Sequence, residues 1–468
     1  MIFRLSRRVF VKDLSVRAAA LAGLGGCSRI WSSPPRETPW DGLPSLDGAL
    51  LLDQGSRDRM SVDLGANIRR VPAAVLRPRS SQDIVRMMRF ADAHRLPIAM
   101  RGQGHSQYGQ TLVQDGIAID STSLNAVTVE APGFVYAQAG AVWDEVTHAT
   151  LAHGLTPPAL GDTMSLSVGG ILSAGGISNS SHLFGAVIDN VEELDVVTGA
   201  GDLVTCSTDR NRELFELTLG GMGQCALIVG ARLRLVPAPA WVVRQDLHYD
   251  DLTTFLTDLR RLATDKGVDH LGALVVSRGP GSGWRYTINV GKFSATPDVD
   301  FASIESGLRF ESQGNPVAAA YADYLHREAA RNAALVEARR ETPRRGLYMT
   351  MFVPGSTSEE FLRRILATPD DTAGMTRLSL YMLPMQKFSR PLFVLPREEL
   401  TCAIFLFRNV PLSEEARYAE MVATVRNLDI EMREAGGKAY PPYAPFYSSA
   451  DWETHYGPAW NRLAAGKR

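Results

Sequence analysis

Arg101-Gly102-Gln103-Gly104-His105-Ser106-Gln107-Tyr108-Gly109-Gln110 follows an apolar run, residues 96–100, that reads as a short strand. Gly102 and Gly104 carry no Cβ, so the peptide N–H groups around them can approach a bound anion closely. The pattern is not the dinucleotide-binding Gly-x-Gly-x-x-Gly, because neither the third glycine nor a following helix is evident. Taken alone, this turn is compatible with a purely structural role, and His105 with a structural histidine.

Two further glycine clusters lie downstream. Asp162-Thr163-Met164-Ser165-Leu166-Ser167-Val168-Gly169-Gly170-Ile171-Leu172-Ser173-Ala174-Gly175-Gly176 places two Gly-Gly pairs among serines, as suits backbone wrapped around a phosphate or a ring edge. Leu219-Gly220-Gly221-Met222-Gly223-Gln224 precedes the strand-like Ala226-Leu227-Ile228-Val229. Asp162, following Gly161, reads on its own as a turn or cap residue.

Around these clusters the chain alternates between short elements. Residues 71–76 form a strand ended by Pro78, and Ser80-Ser81-Gln82-Asp83 offers a capping box. Ile84, Met87, Met88 and Ala91 then follow at amphipathic-helix spacing. Strands are expected over 116–120, 127–129, 134–139 and 191–198, and a helix over 143–151. Beyond Pro237-Ala238-Pro239 glycine thins and longer helices are expected, over 251–266, 358–366 and 414–435, with a helix or helix pair over 317–340. Strands over 378–383 and 401–407 fall between them. The fold class is α+β with many short strands, in two parts, and there is no internal repeat.

Composition narrows the function. A chain of 468 residues holds roughly two domains. Its 49 basic and 51 acidic side chains give a net charge of −2, which argues against a general nucleic-acid or anionic-membrane binder. No stretch approaches the ~18 consecutive apolar residues of a membrane span. The four cysteines, Cys27, Cys206, Cys225 and Cys402, form no Cys-x-x-Cys, so zinc and thioredoxin readings fail. Cys206 and Cys225 read as buried small hydrophobes. His148, His153, His182 and His455 have no metal-like spacing, and no metal site is expected.

At the N-terminus, Ser6-Arg7-Arg8-Val9-Phe10-Val11-Lys12 fits the twin-arginine export pattern and is followed by small residues, 18–26. Residues 1–27 are therefore read as a signal peptide for export, towards the periplasm. Leu24-Gly25-Gly26-Cys27 also resembles a lipoprotein cleavage box, which would make Cys27 a lipid anchor. Residues 28–45 read as a linker.

The three clusters, in this order, resemble the cytokinin dehydrogenase-like branch of the vanillyl-alcohol-oxidase superfamily, with its PCMH-type FAD-binding domain. The resemblance runs from about Pro72 to Pro237. It rests on Arg101 to Gln110, Asp162 to Ser173, Asn190 to Gly199 and Leu219 to Gln224. It implies a two-part FAD-binding domain over 46–240, a cytokinin-binding-like α+β substrate domain over 241–438, and a return to the FAD domain over 439–468. His105 matches the histidine that is covalently attached to the flavin 8-methyl group. Gly102, Gln103, Gly104, Ser106 and Gln110 match the loop around the flavin. Ser167, Ser173, Gly223, Ile228 and Tyr440 match further FAD contacts. Asp162 matches the aspartate that takes the substrate's proton while hydride leaves for flavin N5; a carboxylate in a dehydrated site suits that task.

The second part departs from the plant members. They carry Trp-Leu-Asn where this chain has Tyr348-Met349-Thr350, and no carboxylate occurs over 273–280, where they place a second acidic residue. The plant tail containing Pro-Gly-Gln has no counterpart after Tyr440-Pro441. The resemblance thus implies an FAD-dependent oxidation of a small amine or alcohol, with a cytokinin-like N6-substituted adenine as the favoured substrate; the electron acceptor, oxygen or a quinone-like molecule, is left open. A sugar or aldonolactone oxidase, and a flavin-binding protein with little turnover, are the alternatives.

Overall fold

The structure is a computed structural model that describes residues 40–130, 133–265, 267–279, 282–367 and 377–466. The export pattern, Cys27 and residues 28–39 of the expected linker lie outside the described residues.

The first layer is a four-stranded sheet ordered Ala49–Leu51, Ala74–Arg77, Ile117–Asp120, Ile98–Arg101. The last three strands run parallel. Ala74, Val75 and Leu76 are buried, as expected of parallel strands covered on both faces. The helix Ser81–His94 makes the crossover, burying Ile84, Met87 and Ala91, and ends at Arg95 in the left-handed region with φ 55°. The expected capping box does not form. Ser80 makes no side-chain cap bond and donates instead to Asp47 at 2.7 Å. The buried Asp83 carboxylate accepts from the amides of Asp47, Gly48 and Arg79 at 2.7, 2.9 and 2.9 Å. A buried carboxylate with three amide donors satisfies two chain segments at once, where the box would satisfy one.

The second layer is a five-stranded antiparallel sheet ordered Val127–Glu130, Phe134–Gln138, Ala226–Arg234, Val191–Thr198, Leu203–Ser207. The register of its central strand shifts between Ile228 and Gly230. Glycine is needed there, because a Cβ would lie 2.1 Å from the Tyr136 hydroxyl.

The third layer is a nine-stranded antiparallel sheet. Its main path runs Ser312–Gln313, Trp241–Tyr249, Trp284–Ser294, His270–Ser277, Arg377–Pro384, Leu400–Pro411, Arg344–Pro354, Lys438–Ala439. Side chains alternate across it. Ile404, Leu406, Leu378, Leu380 and Met349 pack against the helices Leu252–Thr264, Ser358–Ala367 and Glu415–Glu434. Ala403, Leu383 and Phe352, of opposite parity, join the core of the glycine-rich part, with Val168, Leu172 and Ile188. One face of this sheet therefore closes over the glycine clusters.

The expected helix or helix pair over 317–340 begins as a strand. Val317–Ala320 is an edge strand paired with residues 241–244, and the helices Tyr321–Leu325 and Ala329–Glu341 follow. The short apolar run satisfies an open sheet edge, a possibility that helical periodicity does not reveal. Cys206, Cys225 and Cys402 are buried free thiols, and burial pushes Cys206 and Cys402 up to about 12. Among the described residues, no helix is long and apolar enough to cross a membrane, and no group of three potential ligands could hold a metal.

Candidate active site

The glycine clusters meet through close backbone approach. A Cβ on Gly102 would sit 2.1 Å from Ser167 Oγ, so the first and second clusters touch. The second contains a helix, Val168–Ala174, where the sequence suggested only a wrapped loop. Its start is fastened by Val168 N–H to Ala141 O and Gly169 N–H to Ala139 O, both at 2.8 Å. The third cluster joins through Gly220 N–H to Leu172 O and Met222 N–H to Ser173 O, both at 2.9 Å.

Asp63 organises the 102–110 turn from below. This buried carboxylate accepts from Ser106 Oγ at 2.9 Å, Gly109 N at 2.7 Å and Ala66 N at 3.2 Å. Burial raises its pKa, and these donors act against that rise. Gly104 has φ +68°, and the Arg101 guanidinium occupies the place its Cβ would take. His105 is half-buried, Gln103 exposed, and Gly104 and Ser106 buried. Gln110 accepts from Tyr108 N at 2.9 Å and donates to Pro442 O at 3.1 Å, tying the turn to the C-terminal segment. Tyr440 reaches the second cluster, its hydroxyl accepting from Gly176 N at 3.0 Å. Burial pushes the Tyr440 hydroxyl up to about 12.

The arrangement sets Gly102 against Ser167 and Ser173 against Met222, while Gly104 packs on Arg101 and Ser106 on Asp63. Gly223 has φ +68° and nothing within 4 Å of a built Cβ. Ile228 is buried within its strand. Glycine backbone around open space, serine hydroxyls and a half-buried histidine fit a flavin nucleotide. Bare peptide N–H groups suit its pyrophosphate, and the space beside Gly223 is open.

Asp162 stands where the nine-stranded sheet meets the glycine clusters. Its Oδ1 accepts from Asn179 Nδ2 at 3.0 Å and from Arg327 Nη2; its Oδ2 accepts from the Tyr381 hydroxyl at 2.8 Å. The Arg327 side chain is 13% exposed and that of Asp162 31%. Arg327 Cζ lies 4.2 Å from the Tyr324 ring centroid, and its Nη1 donates to Tyr324 O at 3.1 Å. Burial lowers the Arg327 pKa, but Asp162 together with Tyr324, Tyr381 and Glu328 outweighs it and the net shift is upward. Burial, reinforced by the Asp162 charge, holds the Tyr381 hydroxyl protonated. Behind them, the Tyr324 hydroxyl bonds His270 Nδ1 at 2.7 Å. Burial, with Arg327 and Arg244 nearby, keeps His270 neutral.

Arg327, Tyr381 and Asn179 were not foreseen. Tyr381 left one trace, since its parity is opposite to that of the apolar Leu378, Leu380 and Met382, which puts it on the site-facing side of its strand. Arg327 left none in a stretch rich in alanine and arginine. Beside Tyr381 the same face is aromatic. Tyr381 meets Phe405 at 5.3 Å between centroids, Phe405 meets Phe407 at 6.3 Å, and Phe407 meets Tyr348 at 5.0 Å.

This fold and site define a two-part FAD-dependent oxidoreductase. Residues 72–207 match the FAD binding domain family, and residues 295–468 match the family described as cytokinin dehydrogenase 1, FAD and cytokinin binding. An uncharacterized oxidoreductase of the fasciation locus of Rhodococcoides fascians is 33% identical over 87% of this chain and 92% of its own length. Cytokinin dehydrogenase 7 of rice (Oryza sativa subsp. japonica) is 30% identical over 90% of this chain and 88% of its own. The crystal structure of 6-hydroxy-D-nicotine oxidase from Arthrobacter nicotinovorans shares the fold, with a TM-score of 0.70 at 20% identity over 91% of this chain and 96% of its own. The chain belongs to the cytokinin dehydrogenase family of FAD-dependent oxidoreductases.

Proposed function

We propose that this enzyme oxidises the C–H bond beside the nitrogen or oxygen of a small amine or alcohol, with an N6-substituted adenine of cytokinin type as the favoured substrate. The observation that carries the reading is the Asp162 carboxylate, held by Asn179, Arg327 and Tyr381 where the aromatic sheet face meets the glycine surface. Bound FAD supplies the hydride acceptor, N5. Asp162 supplies the base. Two donors hold Oδ1 and one holds Oδ2, and a carboxylate offers about four lone-pair sites. A substrate N–H or O–H can therefore bond Oδ2 and pass its proton there as the hydride departs. Arg327 and Asn179 stop the carboxylate from turning, and protonated Tyr381 keeps Oδ2 aimed. The faces of Phe405 and Phe407 suit a planar ring.

His105 is the proposed point of flavin attachment, within a turn braced by Asp63. Oxygen or a quinone-like molecule is the proposed electron acceptor. Residues 1–27 are the proposed twin-arginine signal, with Cys27 as a lipid anchor. Replacing Arg7 and Arg8 by lysine should then retain the protein in the cytoplasm, as read by cell fractionation.

The decisive test is anaerobic. Purified protein should be yellow, keep its colour through acid precipitation, and bleach on addition of isopentenyladenine. Bleaching by polyols or aldonolactones instead would make it a sugar or lactone oxidase. A flavin that no amine, alcohol or sugar reduces would leave a binding protein.

A further inference from the structure

Around Asp162 the guanidinium groups outnumber the carboxylates. Arg327 is paired with Asp162, and Arg331 with Glu328 at 2.7 Å. Two more arginines have no carboxylate partner among the described residues. Arg377 opens the strand Arg377–Pro384, on the same face as Tyr381 four residues later. The neighbouring pair Leu378 and Leu406 sets it beside Phe407. Arg331, Glu328, Tyr381 and Asp162 all lie within its electrostatic reach. Arg244 lies on the other side of Tyr324, with Cζ 5.6 Å from that ring. The Nε of each is buried without a hydrogen-bond partner. Four guanidinium groups thus face two carboxylates.

A buried donor without an acceptor costs stability. A guanidinium fork matches the oxygens of a phosphate or carboxylate better than any neutral group. Arg377 is also well placed for this. Tyr381, Phe405 and Phe407 lie along the sheet face between it and the reacting carboxylate, so a planar ring against them would point its far side at Arg377.

We propose that the substrate carries a negatively charged substituent, a phosphate or a carboxylate, which Arg377 binds at the outer end of the aromatic face. This rests on the reading of Asp162 as the reacting base. The same excess of positive charge disfavours alkylammonium substrates.

The test compares isopentenyladenosine with its 5′-monophosphate and its 5′-carboxylate on the flavin-loaded enzyme. Binding is followed by the flavin difference spectrum or by calorimetry, and flavin reduction is measured separately. At low salt at least one anion should bind about tenfold more tightly than the neutral riboside, and added salt should shrink that ratio. Arg377→Gln should bring the ratio close to one, and Arg377→Lys should keep part of it, since the charge stays and the fork is lost. Which anion gains separates phosphate from carboxylate recognition. Anions that bind no better than the riboside, or a ratio that Arg377→Gln leaves unchanged, would overturn the proposal. The wild-type salt dependence decides the matter even if the variants fold poorly. If none of the three compounds reduces the flavin, the reading of the reaction fails, while the binding ratios still report on the charge.

Discussion

Asp162 has a different relation to each of its three donors. Asp162→Asn keeps the shape and removes the base. Flavin reduction by substrate should slow by about 10²–10⁴-fold while flavin content stays unchanged, as stopped-flow absorbance would record. A variant that reduces its flavin at the wild-type rate would exclude Asp162 as base. Arg327→Met removes the charge partner and the contact with Tyr324. Asp162 keeps about a third of its surface in water, so the loss should be roughly 2 kcal/mol, below the range for a fully buried pair. A urea midpoint at neutral pH reads it. The pairing of Asp162 with Arg327 and Tyr381 was not legible in the sequence, because Arg327 lies 165 positions away and Tyr381 lies 219. Asp162 itself was legible only by its motif, since an aspartate after a glycine otherwise reads as a turn.

At the scale of elements, glycine placement carries the site. Gly102 and Ser167 leave no room for a methyl group between the first turn and the helix Val168–Ala174. Gly102→Ala should push the two apart and lower the flavin retained after purification to well under half. Adding Ser167→Gly should restore part of it, because the obstructing Oγ and Cβ are removed together. Flavin absorbance per protein reports both; full retention in Gly102→Ala would show that this contact does not shape the site. Most elements were readable from periodicity, including the helices Ser81–His94 and Leu252–Thr264, whose apolar spacing matched their buried faces. The exceptions have physical causes. Val317–Ala320 is a strand because an open edge lay beside it. Asp83 left the capping box for the amides of Asp47 and Gly48, which only folding brought within reach.

At the scale of the whole molecule, the two parts are held across their seam by buried polar contacts. The Tyr108 hydroxyl donates to Tyr348 O at 2.8 Å, and Asn67 Nδ2 donates to Gly346 O at 2.6 Å. His182 Nε2 meets Val268 O at 3.0 Å. His182, His270 and His455 are all buried, and burial lowers the pKa of each, that of His455 to about 3. A histidine whose folded pKa lies below its unfolded one binds its proton first in the unfolded state. Stability is therefore fully present above about pH 6.5 and is lost as pH falls towards the folded value. His455 alone should contribute a loss of about 2 kcal/mol between pH 6.5 and 5. Urea midpoints at pH 7 and pH 5 should show the decline, and His455→Gln should flatten it. Equal midpoints for the wild type at the two pH values would contradict the buried neutral state.

The sequence by itself determined where backbone packs closely, because glycine spacing and strand alternation are local properties that each segment carries wherever it lies. It also pointed to the family and singled out Asp162 as the proposed base. Only the tertiary structure decided what surrounds that carboxylate. The crossing of a sheet strand and a helical segment over the glycine surface sets Tyr381 and Arg327 against Asp162. Contacts between groups so far apart in the chain follow from sheet register and domain closure, which no local pattern records.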